Sequence, residues 1–326
     1  MHYVIIGAGA VGGTVGGRLH QHGHRVTLVA RGAHLEAMRG KGLRLATPDG
    51  EHMLEVPAAA DPSEVELTSD SVLVLTVKSQ HTEAALAEWV DAPVRGGGTA
   101  GERLPLLCAQ NGVANERAAL RRFARVYGVC VWLPATFLEP GTVVAQGHPY
   151  SGVLHLGRYP GGDPDGVLTQ AAADIGASQL AARVRSDVMR WKYGKLLGNL
   201  GNAVGALLGA RDAELVAQLR EEGTAVLAAA GIAHTSREEE IAERGDLVDV
   251  RTVAGQRRGG SSTWQSLARQ TGSVEVDYLN GEVVLLGRQH GVPTPANLAL
   301  QQLVRRAARE QTAPGLLSAA ELRALI

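Results

Sequence analysis

Gly7, Gly9 and Gly12 follow directly on the β-branched run Val4-Ile5-Ile6, and apolar residues then recur at Val11, Val15 and Leu19. The run reads as a strand buried on both faces, and the spacing after it reads as a helix. In a strand, G-x-G-x-x-G loop and helix, each glycine has its own task. The first permits a tight turn, the second lets the backbone approach a pyrophosphate, and the third lets helix and strand pack closely. With Ala10 and Val11, the loop presents the free N–H groups of a helix N-terminus to an anion. A second strand, Arg25 to Val29, follows after one helix. The expected class is α/β, beginning with a dinucleotide-binding domain.

The end of that second strand selects the dinucleotide. An NAD site usually places Asp or Glu there to hold the ribose hydroxyls, whereas this chain has Ala30 and then Arg31. A cation with no neighbouring carboxylate in the sequence suits a 2′-phosphate. The expected cofactor is NADP(H), with Arg31 on the phosphate.

At 326 residues the chain exceeds the usual size of one domain. Two are expected: an NADP-binding domain over 1–179 and a helical substrate domain over 180–326. The formal net charge of −1 argues against nucleic acid or an anionic membrane as partner. Cys108 and Cys130 adjoin strands and form no ligand cluster, which suits a reduced, cytoplasmic protein. No basic region precedes the N-terminal apolar run, and no window reaches the roughly twenty apolar residues of a membrane span.

Of the 32 basic residues only Lys41, Lys78, Lys192 and Lys195 are lysine. Arginine serves where any surface cation will do, so Lys78, Lys192 and Lys195 are candidates for work that needs a transferable proton. Lys78 follows the apolar strand 71–77, and Asn111 follows the strand 104–109. Both thus stand at carboxyl ends, where open α/β sheets bind ligands. The segments within 126–157 read as an antiparallel appendage to the first domain. In Ser186 to Gly209, read as one helix, Lys195, Asn199 and Asn202 share a face. An amine and two amides amid leucines are costly without partners, and a substrate would supply them. Glu275 and Asp277 open the last long helix, where carboxylates suit the dipole. The Arg251–Gly260 segment reads as a loop, and His20, His22 and His24 lack the carboxylate or thiolate companions of a metal site.

With Gly7, Gly9, Gly12, Arg31, Lys78, Asn111, Lys195, Asn199 and Glu275 in this order, the chain resembles the ketopantoate reductases, or 2-dehydropantoate 2-reductases. The most specific parts are K-L-x-x-N at Lys195 and E-V-D-Y-L-N-G at Glu275. The resemblance implies a Rossmann domain, a helical domain like the C-terminal domain of 6-phosphogluconate dehydrogenase, and a cleft active site. It also implies NADPH reduction of ketopantoate to pantoate, for coenzyme A synthesis. Lys195 then matches the catalytic lysine and Glu275 the glutamate that holds it and contacts cofactor and substrate. Lys78 and Asn111 match positions near the nicotinamide and the carbonyl, Asn199 a substrate contact, and Ser262 a serine near the substrate carboxylate. Asn202 joins the substrate contacts, and a homodimer is compatible with this reading.

Two departures bear on the substrate side. Ala203 stands where the family commonly has a second asparagine, with Asn202 beside it. The segment from Ser262 to Glu275 is one residue longer than usual and reads S-T-W-Q-S-L at its start. With the bulky Trp264 these motivate two alternatives: a reductase of another 2-keto acid, and a protein that binds NADPH without turnover.

Overall fold

The computed structural model describes residues 1–253, 255 and 259–326, so part of the loop read at Arg251–Gly260 lies outside the described residues. The fold is mixed α/β, and the chain forms two compact units. The first comprises 1–110, 114–189 and 241–258; the second comprises 111–113, 190–240 and 259–326. The chain thus passes to the second unit ten residues beyond the boundary expected near 180, and one later segment belongs to the first unit.

The first unit is built on eight strands: β1 (His2–Ile6), β2 (Arg25–Val29), β3 (Ala58–Ala59), β4 (Ser71–Leu75), β5 (Pro105–Cys108), β6 (Arg125–Trp132), β7 (Val153–Tyr159) and β8 (Ala181–Val184). Their order in the sheet is β8-β7-β6-β5-β4-β1-β2-β3. Strands β1 to β6 are mutually parallel, in the 3-2-1-4-5-6 order of a Rossmann sheet. Alternation along β1 explains its continuous apolar run: Tyr3 and Ile5 enter one core, Val4 and Ile6 the other, on opposite faces of the sheet.

The appendage expected over 126–157 is not one. β6 is the sixth parallel strand, and β7 lies antiparallel beside it from Val153↔Trp132 to Tyr159↔Val126. A fully buried strand carries no alternation that would reveal which neighbour it pairs with. Three short strands leave the main sheet: Thr142–Ala145 pairs parallel with Leu43–Thr47 and antiparallel with Ala135–Thr136 in a four-stranded sheet, and Gly147–Pro149 pairs antiparallel with Val248–Val250.

The histidine cluster is absorbed locally. His22 Nδ1 lies 2.8 Å from the Arg18 carbonyl, and His24 stands edge-on to Tyr3, whose hydroxyl donates to Asp174 at 2.7 Å. Cys108 and Cys130 are both buried. Among the described residues no helix is long and apolar enough to cross a membrane.

The second unit is helical, around a core that includes Leu197, Leu200, Val204, Leu219, Val283 and Leu300. The single helix expected from Ser186 to Gly209 is two, Val188–Asn199 and Asn202–Leu208. The long helix expected to open at Glu275 begins later: Glu275–Tyr278 is a 3₁₀ turn, and the α-helix runs Asn280–His290. The carboxylate of Glu222 accepts from the Ala296 and Asn297 N–H groups at 2.8 and 2.9 Å, anchoring the start of the helix Pro295–Arg309.

Candidate active site

The glycine turn carries the marks of a dinucleotide cradle. Gly7 has φ +108°, a left-handed conformation, and a Cβ there would meet Val77 at 2.8 Å. At Gly12 a Cβ would strike the Gly7 carbonyl oxygen at 2.2 Å and Ile5 at 2.9 Å, so helix and strand touch only because it is glycine. A Cβ on Gly9 would meet nothing within 4 Å, and that open approach is what a pyrophosphate requires. Ala10 and Val11, both half-buried, begin the helix Ala10–Gln21 with Gly9 as its N-cap. Gly7, Gly9, Ala10, Val11 and Gly12 therefore fit the group predicted for them.

Arg31 caps the next helix, Gly32–Lys41, and its side chain is 70% exposed. The expectation of a cation without a carboxylate nearby is corrected here. Arg31 Nη2 lies 2.6 Å from Glu88 Oε2, which arrives from the helix Thr82–Val90. That pair spans 57 residues, so no local pattern reveals it. Lys78 lies just past β4, half-buried, and caps the 3₁₀ turn Ser79–His81.

In the second unit, Lys195 Nζ donates to Asn111 Oδ1 at 2.6 Å. Asn111 opens the Asn-Gly step after β5, and Gly112, at φ +78°, makes the turn possible. Although two helices replace one, Asn199 and Asn202 remain together: Asn202 Nδ2 points at Asn199 Oδ1, 3.5 Å away. Asn199 Nδ2 is shielded from solvent and has no partner among the described residues. Glu275 is buried, at 7% exposure. Ser262 begins the helix Ser262–Ala268 behind the N-cap Ser261, whose hydroxyl donates to the Asn202 carbonyl at 3.2 Å.

Ala203 is 1% exposed and packs in the helical core, leaving the polar position to Asn202. Trp264 covers Gly259 and Gly260, where added Cβ atoms would meet its indole at 2.9 and 2.6 Å. Lys192, raised by the lysine count, is buried, at 3% exposure.

Sequence reasoning missed Asn280 and Asn297. Asn280 Nδ2 donates to the Leu200 carbonyl at 3.2 Å and to Asn297 Oδ1 at 3.0 Å, and Asn297 Nδ2 donates to Glu222 at 2.7 Å. This buried chain holds the break between the two helices that carry Lys195, Asn199 and Asn202. Its trace in the sequence is Asn280, inside the E-V-D-Y-L-N-G segment, and Asn297 seventeen residues on.

The chain is similar along most of its length to known proteins. A relative from Mesorhizobium japonicum named 2-dehydropantoate 2-reductase is 32% identical, over 95% of this chain and 99% of its own. A PanE/ApbA family ketopantoate reductase from Ralstonia eutropha JMP134 superposes with a TM-score of 0.77 at 29% identity, covering 95% of this chain and 99% of that one. D-mandelate dehydrogenase, solved with NADH and anilino(oxo)acetate, shares the fold with a TM-score of 0.77 at 24% identity, over 95% of this chain and 99% of its own. The family described as ketopantoate reductase PanE/ApbA matches residues 3–161, and its C-terminal part matches 187–308. With glycine turn, strand order and lysine-bearing helix all in place, the chain belongs to the ketopantoate reductase family of oxidoreductases.

Proposed function

We propose that this chain reduces the C2 ketone of 2-dehydropantoate to the alcohol of pantoate with NADPH, a product that feeds pantothenate and coenzyme A synthesis. The observation that carries the reading is the 2.6 Å contact of Lys195 Nζ with Asn111 Oδ1, beside the solvent-shielded amide of Asn199.

When bound, the dihydronicotinamide supplies the hydride. Negative charge then builds on the ketone oxygen, and a cation holding a transferable proton stabilises that charge more than the neutral ketone. Lys195 is that cation: its ammonium donates one N–H to Asn111 and moves a proton from Nζ to the oxygen, completing the alcohol. The neutral amine recovers its proton from solvent. Asn111 orients the ammonium, and Glu275 holds the lysine from its buried 3₁₀ turn. A substrate oxygen would satisfy the Asn199 amide, whose burial without a partner is otherwise costly. Asn202 and Ser262 complete the contacts to the polar end of the keto acid.

The glycine turn, with Ala10, Val11 and Lys78, would hold the nucleotide, and Arg31 its 2′-phosphate. The Arg31–Glu88 contact engages a single guanidinium nitrogen, so the highly exposed fork can still present N–H groups to a phosphate.

Steady-state kcat/KM for 2-dehydropantoate against a panel of 2-keto acids, each with NADPH and NADH, tests the reading. The expected result is highest efficiency with 2-dehydropantoate and NADPH. A far higher value for another keto acid overturns the substrate, equal use of NADH overturns the cofactor, and no oxidation with any keto acid leaves a dinucleotide-binding protein.

A further inference from the structure

We infer that His34 is a positioning residue for dinucleotide binding, which holds the glycine turn in its receptive conformation through two hydrogen bonds of opposite sense. The inference rests on the reading of the turn as a nucleotide cradle. His34 lies on the helix Gly32–Lys41, half-buried, outside the residues that would touch the nucleotide.

Its ring spans two backbone groups. Nδ1 accepts from the Gly141 N–H at 2.8 Å, and Nε2 lies 2.8 Å from the carbonyl oxygen of Ala8, inside the G-x-G-x-x-G turn. An N–H can only donate, so Nδ1 is unprotonated; a carbonyl can only accept, so Nε2 carries the hydrogen. The tautomer is thereby determined, and the imidazole is neutral. Burial also pushes its pKa below the ordinary value, in keeping with that state. The Phe137 ring packs 4.5 Å from the imidazole centroid and restricts its rotation.

Both anchors are specific to this arrangement. Gly141 has φ +77°, and a Cβ there would lie 2.9 Å from Ala37 Cβ, so only glycine brings its N–H this close to the helix bearing His34. Its carbonyl is tied as well, accepting from the Arg44 N–H at 2.8 Å. The Ala8–Gly9 peptide is held at both ends: His34 binds its oxygen, and its N–H donates to the Gly7 carbonyl at 2.8 Å. That carbonyl also accepts from Thr76 Oγ1 at 2.7 Å. His34 and Thr76 thus grip the turn through different carbonyls. Since a peptide plane rotates as a unit, loss of the His34 bond frees the Ala8 oxygen to swing toward the space Gly9 leaves open for phosphate.

The test compares wild type, His34→Phe and His34→Gln in the full-length protein, by direct NADPH and NADH titration and by steady-state kinetics. Phe keeps the ring and removes both hydrogen bonds; the Gln amide restores one donor and one acceptor. For folded His34→Phe, Kd and KM for either nucleotide should rise about tenfold while kcat at saturation changes less than twofold, and His34→Gln should recover most of the loss. Nucleotide binding by His34→Phe within twofold of wild type overturns the inference, as does equal impairment of the two variants. If His34→Phe does not fold, ¹⁵N-histidine NMR of the wild type decides: an Nε2–H tautomer whose signals shift with NADPH upholds it, and an Nδ1–H tautomer or unmoved signals overturn it. Wild type that binds neither nucleotide overturns the cradle reading and this inference together. Wild type that binds NADPH but reduces no keto acid overturns the reductase reading alone.

Discussion

Lys195 and Asn111 meet at 2.6 Å although 84 residues separate them, so the geometry of the proposed proton donor depends on a loop far from its own helix. Replacing Lys195 by Met should lower kcat by about 10²- to 10⁴-fold, the usual worth of a general acid, with dinucleotide affinity within a few-fold of wild type. Asn111→Ala should lower kcat as well. On the proposed mechanism the two act as one donor, so the double variant should be little worse than Lys195→Met. Fully multiplicative losses would mean that Asn111 does not act through the lysine.

The Arg31–Glu88 pair bears on cofactor choice. Glu88 adds a negative charge beside the guanidinium proposed to meet a phosphate dianion. Glu88→Gln should therefore tighten NADPH by about two- to fivefold, the scale of an exposed ion pair, and leave NADH unmoved. Arg31→Ala should weaken NADPH more than NADH. Titrations at low and at 0.5 M salt should show the Glu88→Gln gain shrinking as ions screen it.

Gly194 precedes the lysine, and a Cβ there would fall 1.9 Å from Thr235 Oγ1 and 2.9 Å from the Thr235 carbonyl oxygen. Gly194→Ala should cost about 1–3 kcal/mol through overpacking, lowering Tm, and should also lower kcat as the helix shifts. At Gly40 an added methyl meets nothing within 4 Å, so Gly40→Ala should leave Tm unchanged or slightly raised. Equal Tm values for the two variants would show that the helix around Lys195 yields without cost.

Acid should destabilise the fold before the carboxylates titrate. Burial, Arg25 and the N-terminal amine lower His2 to about 4. Burial, then Arg185 and Arg183, lowers His155 to about 3; its neighbour Glu243 lies 3.5 Å off but is held by Arg185 at 2.5 Å. Folded pKa values below the ordinary 6.5 mean that the unfolded chain takes up the protons first as pH falls. The stabilisation is thus complete above pH 6.5 and lost progressively toward pH 4, each histidine adding a slope of at most about 1.4 kcal/mol per pH unit. Urea unfolding at pH 7, 6 and 5 measures this, and a pH-independent midpoint would refute it.

Much of the first unit is legible in the sequence because its signals are local. A strand, a glycine turn and a helix follow one another within two dozen residues, and each glycine's duty is dictated by its neighbours. Lys195 and Asn199 stand out as candidates through helical spacing and the scarcity of lysine, and Glu275 through the E-V-D-Y-L-N-G segment of the resemblance. Less legible was the shape of their support. The break after Asn199 depends on Asn280, 80 residues beyond Leu200, and no periodicity in 186–209 registers it.

The opening strand, glycine turn and helix were written in the chain itself, because backbone sterics and apolar periodicity act over a few residues. Folding alone decided that Arg31 answers to Glu88, that Ala203 goes to the core while Asn202 stays beside Asn199, and that β6 joins the parallel sheet. Each of these outcomes turns on groups brought together from distant positions. Hydrogen bonds and ion pairs operate over about 3 Å of space and are indifferent to separation along the chain.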